Sequence, residues 1–178
     1  MTAEPVNSDS DKRSLRVAVV GGGITQHGDW VVNITEKNRL AGAAGYHEDV
    51  NGNPVAYVSL RAAGRIYGTY LKPMQFQGKL VHPAIYSEGV VTVICHEIAE
   101  MLCDPVIQTY SSPDPKGRDW LVEVCDHVFG SYSFYNVGGN VCVLPDITTP
   151  NYYKTGSAGP YSLFGGAVAP FTLTKAGY

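Results

Sequence analysis

One stretch constrains this chain more than any other: Ser87 to Asp104, SEGVVTVICHEIAEMLCD, closed by Pro105. Ser87 is a good N-cap, and Glu88 sits where the positive end of a helix dipole favours an acid. Pro105 ends the helix, because the residue before a proline is pushed out of the α region. The run Val90-Val91-Thr92-Val93-Ile94 opposes this by strand propensity. A helix over 88–103 is still expected, since a fully buried helix tolerates β-branched residues and the polar spacing that follows makes sense only on a helix. His96 and Glu100 then stand at i and i+4 on one face. That is how H-E-x-x-H segments present two zinc ligands, with the intervening acid as general base. Here Glu100 takes the place of the second histidine. A carboxylate ligates zinc at about 2.0–2.2 Å, and the extra oxygen donor makes the site harder and brings manganese or calcium within range. Glu97 points about 100° further round the helix, toward a metal-bound water rather than the metal. Taken alone, the pentapeptide also fits a simple His96–Glu100 pair.

A catalytic zinc site requires three protein ligands and an open position, so a third ligand must come from elsewhere. Asp119 is placed to cap a short helix over 120–129. On it Trp120, Leu121, Val124, Cys125 and Val128 form an apolar face, while Glu123, Asp126 and His127 share the other side. Glu123 falls 23 residues after Glu100, a workable return distance for the third ligand, and Asp126 suits the role of orienting a metal-bound histidine. Asp126, Asp104 and His127 could each supply that ligand instead, although Asp104, before Pro105, suits a helix end better. An amphipathic element with a solvated acidic face is the competing reading of the whole segment.

The remaining chain supplies a frame for these two clusters. Residues 1–14 lack any apolar period and read as a flexible arm. Leu15–Val20 reads as a buried strand. The glycines Gly21-Gly22-Gly23 mark a turn rather than a dinucleotide site, because Gln26 stands where the last glycine of G-x-G-x-x-G belongs. Residues 30–44 are expected to form a helix. Asn51-Gly52 is a strong hairpin signal, followed by a strand at Val55–Leu60. His47, just before that strand, is a candidate for lining the cleft and donating to a substrate carbonyl or oxyanion. Residues 157–178 read as an irregular tail, leaving 15–156 as the metal-binding domain.

Composition excludes several classes. Only 16% of the residues are charged, against about 25% in typical domains, and the 13 basic residues are scattered with a net charge of −3. No phosphate-tracking stripe exists, so no nucleic acid is expected as a partner. No apolar run approaches the roughly 18 residues of a membrane span. The polar, acidic N-terminus reads as neither a signal nor a transit peptide, which implies synthesis in the cytoplasm. Four cysteines in 178 residues are too sparse for a disulfide scaffold and read as buried thiols.

The segment His96-Glu97-Ile98-Ala99-Glu100-Met101-Leu102-Cys103-Asp104-Pro105, followed by Glu123-Val124-Cys125-Asp126, resembles a family of small zincin-like proteins of tailed phages and bacteria. Its pattern is S-H-E-L-x-E-x-x-x-D-P and then E-[VI]-x-D, and Cys95 stands here in place of the serine. Gly45-Tyr46-His47-Glu48 with Pro54–Val58 looks like the strand preceding that helix, and Leu144–Pro150 also fits, so the resemblance covers roughly 40–153. It implies an α+β, zincin-like fold: a twisted mixed sheet packed on an active-site helix, with Val55–Leu60 as the edge strand that pairs with an extended peptide. The expected function is zinc-dependent peptide hydrolysis, one Zn2+ held by His96, Glu100 and Glu123 with Asp126 nearby, Glu97 as general base and His47 at the oxyanion. The competing expectation is a phage virion structural or assembly protein on a zincin-like scaffold, with other particle proteins or further copies of itself as partners.

Overall fold

The computed structural model describes residues 30–36, 39–63, 74–76, 78–81, 87–137 and 140–178. The expected arm over 1–14 and strand over 15–20 lie outside these residues. The chain is a mixed α+β protein of small sheets around one long helix. Strands β1 (Val31–Thr35), β2 (Gly45–Val50) and β3 (Asn53–Ser59) form a sheet in the order β1-β3-β2, with β1 parallel and β2 antiparallel to β3. The expected helix over 30–44 is therefore not formed. Val31, Val32, Ile34 and Thr35 are β-branched, and pairing with β3 on the core side satisfies that preference.

The hairpin between β2 and β3 follows the sequence signal closely. Val50 pairs with Asn53 across a two-residue loop, and Asn51 and Gly52 both take positive φ, at 55° and 82°. That is the primed turn whose twist matches the flanking strands, and the Asp49 carboxylate accepts the Gly52 N–H at 2.6 Å. The strand expected at Val55–Leu60 is β3, but it is central rather than at the edge. Among the described residues the free edge beside the helix belongs to β2. The reason is β1, which pairs along the other edge of β3.

Helix α1 (Ser87–Cys103) runs between this sheet and a second hairpin, β6 (Tyr132–Val137) with β7 (Asn140–Pro145). A further short pair, β4 (Met74–Phe76) and β5 (Lys79–Val81), completes the strands among the described residues. Val90, Val93 and Met101 of α1 join Val32, Ala56, Val58, Phe134 and Val143 in the main core. The buried Thr92 hydroxyl donates to the Val143 carbonyl at 3.2 Å. Burial against layers on both sides is what lets a β-branched run remain helical, because packing outweighs a propensity deficit of a few tenths of a kcal/mol per residue. No helix among the described residues is long and apolar enough to cross a membrane.

The second expected helix, over 120–129, is replaced by an extended segment. Leu121 bridges Tyr110, the Ser111 N–H donates to the Trp120 carbonyl at 2.8 Å, and the Val122 N–H donates to the Thr109 carbonyl at 2.9 Å. Only Asp126–Val128 makes a single 3-10 turn, and Asp119 is exposed and begins no helix. Backbone pairing with the 109–111 loop claims the amide groups that a helix needs.

The tail over 157–178 is irregular, as expected, and it is tied down. The Asp146 carboxylate, 1% exposed, accepts from Ser131 Oγ, Ser162 Oγ and the N–H groups of Ile147, Phe164 and Gly166, all at 2.8–2.9 Å. Further along, the Thr174 N–H donates to the His127 carbonyl at 3.0 Å and the Tyr178 N–H to the Asp126 carbonyl at 3.3 Å. Cys125 is buried, Cys95 half-buried and Cys103 exposed. The exposure of Cys103 corrects the expectation of buried thiols. Cys103 and Leu102 share the outer side of the last turn of α1, where Leu102 is also exposed, while Met101 of the same turn is buried.

Candidate metal centre

Three stretches of chain meet at the middle of α1. From the helix come His96, Glu97 and Glu100, all within 5% exposure. From β2 comes His47, and from the extended segment come Glu123, Cys125 and Asp126. All but Cys125 line one wall of a cavity of about 820 Å3, whose other walls include Leu40, Phe129 and Tyr178. Cys125, 1% exposed, lies behind that wall.

Helical spacing does what the sequence predicts for the first pair: His96 Nε2 is 3.1 Å from Glu100 Oε2. A third atom, Asp126 Oδ1, lies 3.0 Å from the same nitrogen but outside the line of a hydrogen bond, and it has no other partner. One nitrogen therefore faces two carboxylate oxygens. Ligand atoms bound to one ion at about 2.0–2.2 Å sit roughly this close together, so the donor set and its orphaned oxygen fit a small divalent cation. Cys125 Sγ is within 4.8 Å of the His96 and Glu100 ligand atoms. Sequence reasoning placed Cys125 on an apolar helix face and missed it; its position between Glu123 and Asp126 was the available signal.

Glu123 does not touch His96. It faces the cavity with a buried, unpartnered Oε2, and its pKa is pushed up to about 8 by burial and then by the charge of Glu100. Asp104 and His127 are both engaged away from the cluster. Asp104 has both carboxylate oxygens taken by the Gln108 and Thr109 N–H groups at 3.0–3.1 Å. It serves as the helix-end acid its position suggested. His127 turns both ring nitrogens to backbone carbonyls, of Tyr178 at 3.2 Å and Leu121 at 3.0 Å, and stacks on Tyr152. Asp126 and His127 are consecutive in the 3-10 turn, which at three residues per turn points neighbouring side chains well apart, so His127 faces Leu121 and Tyr178 while Asp126 faces His96.

His47 has a different orientation from the expected one. Its Nε2 lies 3.1 Å from the Asp104 carbonyl, which can only accept, so the proton belongs on Nε2. In the neutral ring Nδ1 is then a lone pair, and it faces Glu97 Oε2 at 3.6 Å and Glu100 Oε2 at 4.0 Å. In the protonated ring the Nδ1–H points at those same carboxylates, so neither form directs an N–H to an oxyanion. Burial pulls the His47 pKa down, but the Glu97 carboxylate and the Glu123 charge outweigh it and hold the value at about 9. Glu97 is raised by burial, with His47 opposing. His96 is raised well above the usual imidazole range: burial opposes, and the Glu100 charge prevails. Burial also raises the Cys125 thiol. The common cause is an excess of acids over bases in a poorly solvated space, relieved by protons or by a cation.

Gly45 sets the spacing between β2 and the helix. A Cβ there would fall on the Glu97 carboxylate and meet Val93 Cγ1 at 2.6 Å. Only glycine lets the strand pass this close.

Comparison with known proteins adds no name: no family model, curated protein or solved structure matches the chain.

Proposed function

We propose that this chain is a zincin-like, metal-dependent hydrolase acting on peptide bonds. The observation that carries the reading is the convergence of His96 Nε2, Glu100 Oε2 and Asp126 Oδ1, the two oxygens lying within 3.1 Å of the nitrogen, on the wall of a cavity large enough for a substrate. Asp126 thus replaces Glu123 as the third ligand, while Glu123 keeps a place in the cavity wall. A zinc ion there would supply Lewis acidity toward a carbonyl and bring the pKa of a water to about 7.

The chain's own residues account for the rest. Glu97 is the general base: it faces the same cavity, its Oε2 is unpartnered, and burial raises its affinity for a proton. His47 lies on the other side of Glu97, its Nδ1 3.6 Å from Glu97 Oε2, and is itself fixed by the Asp104 carbonyl. The edge of β2 supplies main-chain groups along Gly45–His47 to which an extended peptide can add as a further strand.

Zinc content and peptide hydrolysis test this together. About one zinc per chain is expected at this seat, lost in His96→Ala and Asp126→Asn. Glu97→Gln should keep that zinc and lose hydrolysis by roughly 100-fold or more, on the order of a removed general base. Undiminished hydrolysis by Glu97→Gln, or a wild type that binds no metal after zinc is added back, overturns the reading.

A second reading is favoured by Cys125. A thiolate reaching the same ion from behind would complete four protein ligands and close the site, leaving a metal that only braces α1 against the 123–126 segment. That is the form an assembly protein on this scaffold would take. A cobalt-substituted protein with thiolate-to-cobalt charge-transfer absorption, absent in Cys125→Ser, would select it.

A further inference from the structure

We propose that the cavity wall holds a second divalent-cation seat, made by His47 Nδ1, Glu97 Oε2 and Glu100 Oε2, and that filling it switches the hydrolase off by turning its base into a ligand. The inference rests on the function proposed above and deepens it, since Glu97 belongs to both descriptions.

Three observations converge on this seat. Its three donor atoms lie within 4.8 Å of one another, each from a buried residue. Glu97, 3% exposed, aims into it an Oε2 that receives no hydrogen bond; at 3.6 Å from His47 Nδ1 the pair is too far apart for one. The Asp104 carbonyl holds the His47 proton on Nε2, which is how metal-binding histidines are oriented by a backbone acceptor on the opposite nitrogen.

Glu100 links the two seats. Its Oε1 accepts the Cys125 N–H at 3.2 Å, leaving Oε2 between His96 Nε2 at 3.1 Å and His47 Nδ1 at 4.0 Å. One carboxylate oxygen is thus shared by two donor sets, the arrangement of a carboxylate-bridged ion pair. Charge points the same way. Fully ionised, Glu97, Glu100, Glu123 and Asp126 bring four negative charges against two imidazoles. One divalent cation neutralises half of them, and two neutralise all. Glu123, whose buried Oε2 is also unpartnered, lines the same cavity and adds its charge there. One nitrogen with oxygen donors suits zinc or manganese.

The decisive experiment is equilibrium dialysis of the full chain against zinc, with metal counted by mass spectrometry, alongside manganese titration followed by electron paramagnetic resonance. Two zinc ions per chain are expected for the wild type. His47→Ala should lose one and keep the other, His96→Ala should lose the first seat, and the bridging change Glu100→Gln should weaken both. In the wild type the manganese signal of the first equivalent should broaden as the second enters, because ions sharing an oxygen are magnetically coupled; this readout needs no variant to fold. Hydrolysis should rise to one equivalent of zinc and fall with the second, and His47→Ala should abolish that fall. A wild type saturating at one zinc, lost in His96→Ala and kept in His47→Ala, overturns the second seat and leaves the hydrolase intact. A wild type that binds no metal overturns both.

Discussion

Glu97 and Gly45 form the tightest junction in the site. The carboxylate lies against a strand that has no side chain at the point of contact, so the position of the proposed base depends on a residue with no side chain of its own. Close-packed interiors absorb an added methyl only by shifting something. Gly45→Ala is expected to displace Glu97 and depress hydrolysis by an order of magnitude or more, while zinc at His96 and Asp126 is retained. Metal content and kcat measured on the same preparation check this. Sequence reading found His96, Glu97 and Glu100 because one helical period relates them. Cys125 and the inverted orientation of His47 escaped it, since each depends on a partner brought from a distant segment: Glu100 and His96 for the thiol, the Asp104 carbonyl for the imidazole.

Elements are held in place by polar anchors as much as by the core. Asp146, at the end of β7, gathers five donors from Ser131, Ser162 and the 147–166 backbone, and through them fastens the irregular tail whose Tyr178 lines the cavity. An amide at this position presents its own N–H groups to N–H donors. Asp146→Asn should therefore cost about 3 kcal/mol, the scale of charged hydrogen bonds lost in a buried place. A denaturant titration reads the change as a lower midpoint at unaltered slope. Both secondary-structure corrections also belong here. Val31–Thr35 and the 120–125 stretch carry β-branched residues that fit either state, and an available strand partner decided each.

For the molecule as a whole, the metal-free cluster makes stability depend on pH. The His47 value of about 9 lies above its ordinary 6.5, so its contribution is complete below about 6.5 and is lost as pH rises through 9. The Glu123 value of about 8 also lies above its ordinary 4.5. The folded chain thus keeps a proton that the unfolded chain has released, and stability falls as pH climbs from 4.5 toward 8. Both groups have the same sign, because the native state binds more protons than the unfolded state across this window. Metal-free protein should lose thermal stability steadily between about pH 5 and 9, and zinc should flatten the profile by replacing those protons. Thermal melts with and without metal across that range test it; a metal-free melting temperature that rises with pH would contradict the arrangement of charges described here.

Local chemistry settled what could be read in one dimension. Helix α1 and its limits, the Asn51-Gly52 turn, the strand after it and the i, i+4 presentation of His96 and Glu100 follow from capping, backbone sterics and the helical period, which act within a few residues. Packing settled the rest. It placed β3 at the centre of its sheet, drew 120–123 into an extended path that turns at 124–128, and so brought Asp126 rather than Glu123 to His96. It also turned His47 so that its lone pair faces Glu97 and Glu100. These outcomes depend on which amide groups and which cavities meet across tens of residues, and no periodicity along the chain encodes such a meeting.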